Sequence, residues 1–238
     1  YIQREEYSPE LFITYSHEDL QRASAWAVPE RSLDFDYAGI TSVASRYLMP
    51  LELPEEMYMI ISLALCSNLE VDRMEMVKKV YDVISLRHLS LATPILMNLR
   101  RKNGNLSSCF ITAMDDTTES ILAGFQDAAN ISKEGGGVGI NVSNIRALGS
   151  SVRGVPNTSG GVVPFVKVLN DIALAFNQCG KRAGAITIGI DLWHRDIERF
   201  LELQVEDGGD NRFKAFDIFP QVCIPDEFMR RKTDPNSL

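Results

Sequence analysis

The stretch Ser132-Lys133-Glu134-Gly135-Gly136-Gly137-Val138-Gly139-Ile140-Asn141 constrains this chain more than any other. Four glycines in five positions let the backbone pass close to a neighbour with no Cβ in the way. Thr117 to Ser132 reads as a helix and Val138 to Val142 as a strand, so the glycines join the two element types. The stretch runs on through Asn144-Ile145-Arg146-Ala147-Leu148-Gly149 to Arg153-Gly154, and Lys133, Arg146 and Arg153 supply charge suited to phosphate. Taken alone, the glycine cluster is equally well a tight turn or a nucleotide-binding loop. It has neither the GxxxxGK[ST] order of a P-loop nor the GxGxxG order of a dinucleotide fold.

The segments around it alternate. Ser108 to Ala113 reads as a strand, the helix Thr117 to Ser132 carries Ile121, Leu122, Phe125 and Ala129 on one face, and Pro164 to Gln178 is again helical. Ala185 to Ile190 is strand-like, Asp196 to Val205 helical, Lys214 to Phe219 strand-like and Pro225 to Arg231 a last helix. Such alternation implies parallel strands with crossover helices, in which ligands collect beyond the carboxyl ends of the strands. Upstream the texture differs. Residues 1 to about 50 read as an irregular or helical arm, Pro54 opens a helix to Ser67, and Asp72 opens another through Met76, Val80, Val83 and Ile84. Met57, Met59, Met74 and Met76 are expected in the core of that helical layer. The domains are therefore expected at 1–88, mainly helical, and 89–238, α/β.

With 45% hydrophobic residues among 238, the chain can build a proper core. A net charge of −8 argues against coating DNA or RNA, while leaving room for a single bound nucleotide. Cys66, Cys109, Cys179 and Cys223 are widely spaced with no CxxC pair, so neither a disulfide scaffold nor a metal site is indicated, and a reducing cytoplasm fits. The most apolar run, Met57 to Cys66, is about half the ~20 residues that cross a bilayer. The chain opens on Tyr1 and closes on Asp234-Pro235-Asn236-Ser237-Leu238, and is expected to be a piece of something longer.

Cys109 begins the strand Ser108-Cys109-Phe110-Ile111, where a buried small hydrophobe and a reactive thiol are both open readings. Thr93 precedes Pro94 before an apolar turn, as an N-cap or a phosphate ligand would. Asp116-Thr117-Thr118-Glu119 has the capping-box pattern with aspartate at the cap. Asn177 to Gly184 carries two cations, two amides and two glycines, a polar loop able to touch bases or phosphates. Trp193-His194 follows a strand end, and no role is assigned to His194.

As a set, SLATP (Ser90 to Pro94), NLSSCF (Asn105 to Phe110), the Asp116 cap, SKEGGGVGINVSNIRALGSSVRG (Ser132 to Gly154), NTSGGVVPF (Asn157 to Phe165), NQCGKRAGA (Asn177 to Ala185), DLWHRDIERFLEL (Asp191 to Leu203) and the closing IPDEFMRR resemble the large, catalytic subunit of ribonucleotide reductase. The match runs in order over about residues 33 to 231. The resemblance implies the first half of a ten-stranded α/β barrel behind an N-terminal helical region. It implies reduction of ribonucleotides at the 2′ carbon by thiyl-radical chemistry, with Cys109 as one of two redox thiols. Thr93, Ser108, Cys109 and Gly137 correspond to substrate contacts. Asp116, Thr117, Thr118, Lys133, Arg146, Arg153 and Gly154 correspond to the site of a deoxynucleotide or ATP effector, and Gln178, Cys179, Gly180, Lys181, Arg182 and Ala183 to the loop that relays effector identity to the substrate base.

The family's thiyl cysteine, the partner of Cys109 and the tail cysteines lie beyond this chain's residues. On the resemblance, activity then requires a second polypeptide with the rest of the subunit, a large-subunit homodimer, a metal-bearing radical-generating small subunit (or cobalamin, in another class), and thioredoxin or glutaredoxin as external dithiol. No cofactor is expected on this chain itself. The alternatives are a non-catalytic regulatory module that keeps nucleotide binding, and an unrelated α/β phosphate-binding enzyme.

Overall fold

The computed structural model of the chain describes residues 7–102, 104–176, 185–206, 208 and 210–233. Two compact units divide between Ser108 and Cys109. The change of texture at residue 88 precedes that division because the next helix still packs with the helices before it.

The first unit holds α1 (Glu10–Thr14), α2 (His17–Trp26), a 3₁₀ turn at Pro29–Ser32, α3 (Tyr37–Arg46), α4 (Pro54–Cys66), α5 (Arg73–Ser85) and α6 (Thr93–Asn98). Proline suits the first turn of α4, and the Glu56 carboxylate accepts from the Leu53 N–H at 2.9 Å. Met57, Met59, Ile61 and Leu63 of α4 are buried, and Val77, Tyr81 and Ile84 of α5 with them. Met74 is partly buried against the same core, but Met76 is 42% exposed and is not a core residue, since it lies off the face that carries Val77 and Tyr81. Asp72 precedes α5 in the left-handed region (φ 53°) and its side chain caps nothing. Leu96 and Leu99 pack against Val43, Met57, Ile61 and Ile84, which ties α6 and its end to this unit. Buried Arg100 completes the tie: its Nη2 donates to Glu52 Oε2 at 2.8 Å and to the Tyr47 carbonyl at 2.5 Å, and Tyr7 Oη donates to Glu52 Oε1 at 2.8 Å.

The second unit is built on four parallel strands in the order β1 (Cys109–Ala113), β2 (Gly137–Asn141), β3 (Ala185–Asp191), β4 (Phe219–Cys223). Between and after them run α7 (Thr118–Lys133), α8 (Val163–Ala175), α9 (Ile197–Leu201) and α10 (Asp226–Thr233). Strands added one after another in sequence order by right-handed crossovers place every crossover on the same side. Accordingly one face is sealed: Val138, Ile140, Ile186, Ile188 and Ile190 are buried with Ile121, Ala128, Val166 and Leu169 of the helices.

Two further details depart from the sequence expectation. The face of α7 that meets the sheet is Ile121, Gly124, Phe125, Ala128 and Ser132, whereas Leu122 is 58% exposed. Gly124 lies so close to the Met114 side chain that a Cβ would collide with it, so small residues set which face goes inward. The last strand is Phe219–Cys223, not Lys214 to Phe219, because the backbone before it is held elsewhere: Ala215 N–H donates to the Leu203 carbonyl and Asp217 N–H to Asn170 Oδ1. Pro220, which lacks an N–H, is tolerated because β4 is an edge strand of this sheet.

Candidate functional site

Among the described residues of this unit, nothing packs on the face of the sheet opposite the helices. Parallel register aligns Cys109, Gly137 and Ala185 in one row, Ile111, Gly139, Thr187 and Phe219 in the next, then Ala113, Asn141, Gly189 and Gln221, and finally Asp191 and Cys223. Ile111 is 92% exposed, and Cys109 and Phe219 are exposed as well. Two of its positions are glycines that no close neighbour among the described residues requires. A Cβ on Gly139 would meet only the Phe110 carbonyl at 3.9 Å, and one on Gly189 would touch nothing nearer than 3.9 Å. Neither glycine has a positive φ.

The glycine cluster therefore divides. Gly135 turns the chain (φ 72°), and Gly136 packs where a Cβ would lie 2.8 Å from Ile131 Cγ2 and 3.1 Å from Phe110 Cε2. Those two serve the turn. Gly139, with Gly137 two residues before it, serves the bare face and leaves room for a close approach from outside.

Of the residues matched to substrate contacts, Cys109 and Gly137 are register partners at the amino ends of β1 and β2, the end opposite to that expected for ligands of a parallel sheet. Ser108, half-buried, precedes Cys109 as the last residue of the first unit. Thr93 belongs to the first unit too. It is the first residue of α6 and not its cap, a position held by Ala92, and its hydroxyl lies 3.4 Å from Tyr47 Oη.

At the carboxyl ends of β1 and β2 a second group assembles. Asp116 is not the cap of α7. Thr117 is, with its Oγ1 accepting from the Ser120 N–H at 3.2 Å, and Thr118 opens the helix. Asp116 is instead occupied by Arg146, whose backbone N–H donates at 3.2 Å and whose Nε donates at 2.5 Å. Arg146 Nη1 also donates to the Ser151 carbonyl at 2.9 Å, and Asn144 Nδ2 to Asp115 Oδ1 at 2.8 Å. Arg153 and Gly154 form the tip of a two-residue turn between Val152 and Val155, both at positive φ (51° and 82°). Arg153 is exposed, and it forms no ion pair among the described residues. Lys133 does not join this group. It ends a sixteen-residue helix that begins there, about 24 Å away by the rise of an α-helix. Gln178 to Ala183 lie outside the described residues.

Residues 107–237 match the family described as "Ribonucleotide reductase, barrel domain", and residues 33–104 its "all-alpha domain". The chain belongs to the ribonucleotide reductase large-subunit family. It is 54% identical over 220 residues to a ribonucleoside-diphosphate reductase subunit alpha of Synechocystis, covering 92% of this chain and 29% of that protein. The Treponema pallidum subunit alpha is 37% identical over 92% of this chain and 27% of its own length, and an Arabidopsis thaliana large subunit 36% over 88% and 26%. The chain thus spans less than a third of the length of these relatives. Among solved structures, an Actinobacillus ureae class Id ribonucleotide reductase alpha subunit shares the fold with a TM-score of 0.68 at 21% identity, over 89% of this chain and 36% of that one. The helical region followed by parallel α/β strands is the arrangement expected of the reductase barrel. No helix among the described residues is long and apolar enough to cross a membrane.

Sequence reasoning missed two residues of this reductase segment. His194 Nδ1 accepts from the Asp196 N–H at 3.1 Å and its Nε2 faces the Ile145 carbonyl at 2.7 Å. The Asp196 carboxylate, on a residue 3% exposed, accepts from the Leu148 and Val162 backbone N–H groups. The one available signal was a histidine and an aspartate two positions apart just after a strand end.

Proposed function

We propose that this chain contributes to the catalytic subunit of a ribonucleoside-diphosphate reductase, with Cys109 as one of the two thiols that reduce the substrate. In this reading two thiols become a disulfide, their two electrons and two protons pass to the ribonucleotide, the 2′ C–O bond breaks and the oxygen leaves as water. Cys109 supplies one sulfur, and the other comes from a cysteine outside these 238 residues. Ser108, Gly137 and Thr93 hold the substrate, and an external dithiol such as thioredoxin or glutaredoxin resets the disulfide. The radical that starts the reaction comes from a separate small subunit, and the large subunit pairs with itself. Asp116, Thr117, Thr118, Arg146, Arg153 and Gly154 bind a deoxynucleoside triphosphate or ATP effector that biases substrate choice through Gln178 to Ala183.

The observation that carries this reading is the bare face, with Cys109 exposed in its first row beside Gly137 and with Gly139 and Gly189 meeting no close neighbour among the described residues. A half-open sheet with an uncovered Ile111 and Phe219 is also an argument that the chain is inactive until the face is covered. In the assembled enzyme Cys109→Ser is expected to stop multiple turnovers while leaving effector binding intact. Unchanged turnover removes the redox assignment.

A further inference from the structure

We infer that His194 and Asp196, in the turn between β3 and α9, are positioning residues for the loop 143–162, and that this loop's grip on an anionic nucleotide depends on them. The inference rests on the effector site proposed above. His194 accepts a hydrogen bond from the Asp196 N–H through Nδ1, so its ring proton sits on Nε2 and is donated to the Ile145 carbonyl. That carbonyl belongs to the same peptide group as the Arg146 N–H, which donates to Asp116. One peptide plane is thereby clamped from both sides, and the direction in which the Arg146 side chain leaves the backbone is set by it.

Asp196 closes the base of the excursion that carries Arg153 and Gly154. One carboxylate accepts from Leu148 N–H at 3.0 Å and from Val162 N–H at 2.9 Å, stapling together two backbone positions fourteen residues apart. The staple is tight. Gly161, at φ 75°, has no room for a Cβ because Asp196 Oδ2 and the Leu148 nitrogen occupy the space. A third tie runs from the Asp191 N–H to Ser143 Oγ at 2.9 Å. The loop bearing the proposed phosphate-binding cations is thus hung on the turn after β3, and β3 itself begins directly after the segment Gln178 to Gly184.

The test is nucleotide affinity, measured by calorimetric titration of a deoxynucleoside triphosphate into the protein purified with the assembly it forms in its own cells. It is run well below the melting temperature of every variant. His194→Leu and Asp196→Asn are expected to raise Kd about 10-fold or more, the scale of one or two lost hydrogen bonds. His194→Gln, which keeps one acceptor and one donor, is expected to restore most of the affinity. Asn170→Ala is the control: it removes a buried amide that pairs with Asp217 away from the loop, and should lower the melting temperature with Kd unchanged. If Arg146→Ala weakens binding while both positioning variants bind like wild type, the inference fails and the effector site stands. If Arg146→Ala has no effect either, the effector site lies elsewhere and both fail. A loss in Asn170→Ala equal to that in His194→Leu reduces the effect to general destabilisation and also overturns the inference. Should Asp196→Asn not fold, the His194 pair decides.

Discussion

The two faces of the four-stranded sheet are made by the same strands and end differently. On one, Ile186, Ile188 and Ile190 are fully buried beneath α7 and α8. On the other, Ile111 stands exposed in a row with Gly139, Thr187 and Phe219. Because side chains alternate along a strand, each strand contributes to both faces, and the asymmetry comes entirely from where the crossovers run. The sealed face explains why the unit folds. The bare one leaves Cys109, Ile111 and Phe219 exposed.

This contrast is open to direct attack. Ile188→Ala should cost about 2–5 kcal/mol of stability, the usual price of a large core deletion, read as a shift of the denaturation midpoint. A smaller loss than for a surface site would mean that the helices do not seal the face. Gly136→Ala, forced against Ile131 and Phe110, should cost about 1–3 kcal/mol by overpacking. Gly139→Ala, three residues on, should instead raise the stability of this chain by about 0.5–1 kcal/mol, since a strand glycine carries an entropic penalty and nothing here fills its space. The same substitution is expected to slow nucleotide reduction in the assembled enzyme. Stabilisation without that loss would show that nothing approaches the bare face closely. Ile111→Ala should change the chain's stability by less than about 0.5 kcal/mol. A larger loss would reveal a cover over that face.

Much of this was legible in residue order. Pro54 with Glu55 and Glu56 marks α4, the spacing of Val80 and Ile84 marks α5, and the apolar runs at Val138 and Ala185 are strands. Errors cluster where a long-range partner outbid a local rule. Asp116 satisfies the capping pattern, yet Arg146, thirty residues later, takes its carboxylate and Thr117 caps the helix. Leu122 has the hydrophobicity of a core residue, but Gly124 and Ala128 let the helix lie close to the sheet and turn Leu122 outward. Lys214 to Ile218 has a strand's composition while its backbone groups are spent on Leu203 and Asn170. His194 and Asp196 left almost no trace, because a residue that binds backbone groups dozens of positions away has no periodic signature.

What the sequence determined by itself is the alternation of helix and strand and the family, since these rest on local propensity and on motifs read in order. Only the tertiary structure decided that Cys109 and Gly137 share a row at the amino ends of their strands, that Lys133 stands a helix length away from Arg146, and that the loop 143–162 hangs from His194 and Asp196. Register, crossover side and buried hydrogen bonds join residues far apart in the chain, and a one-dimensional pattern carries no distance between them.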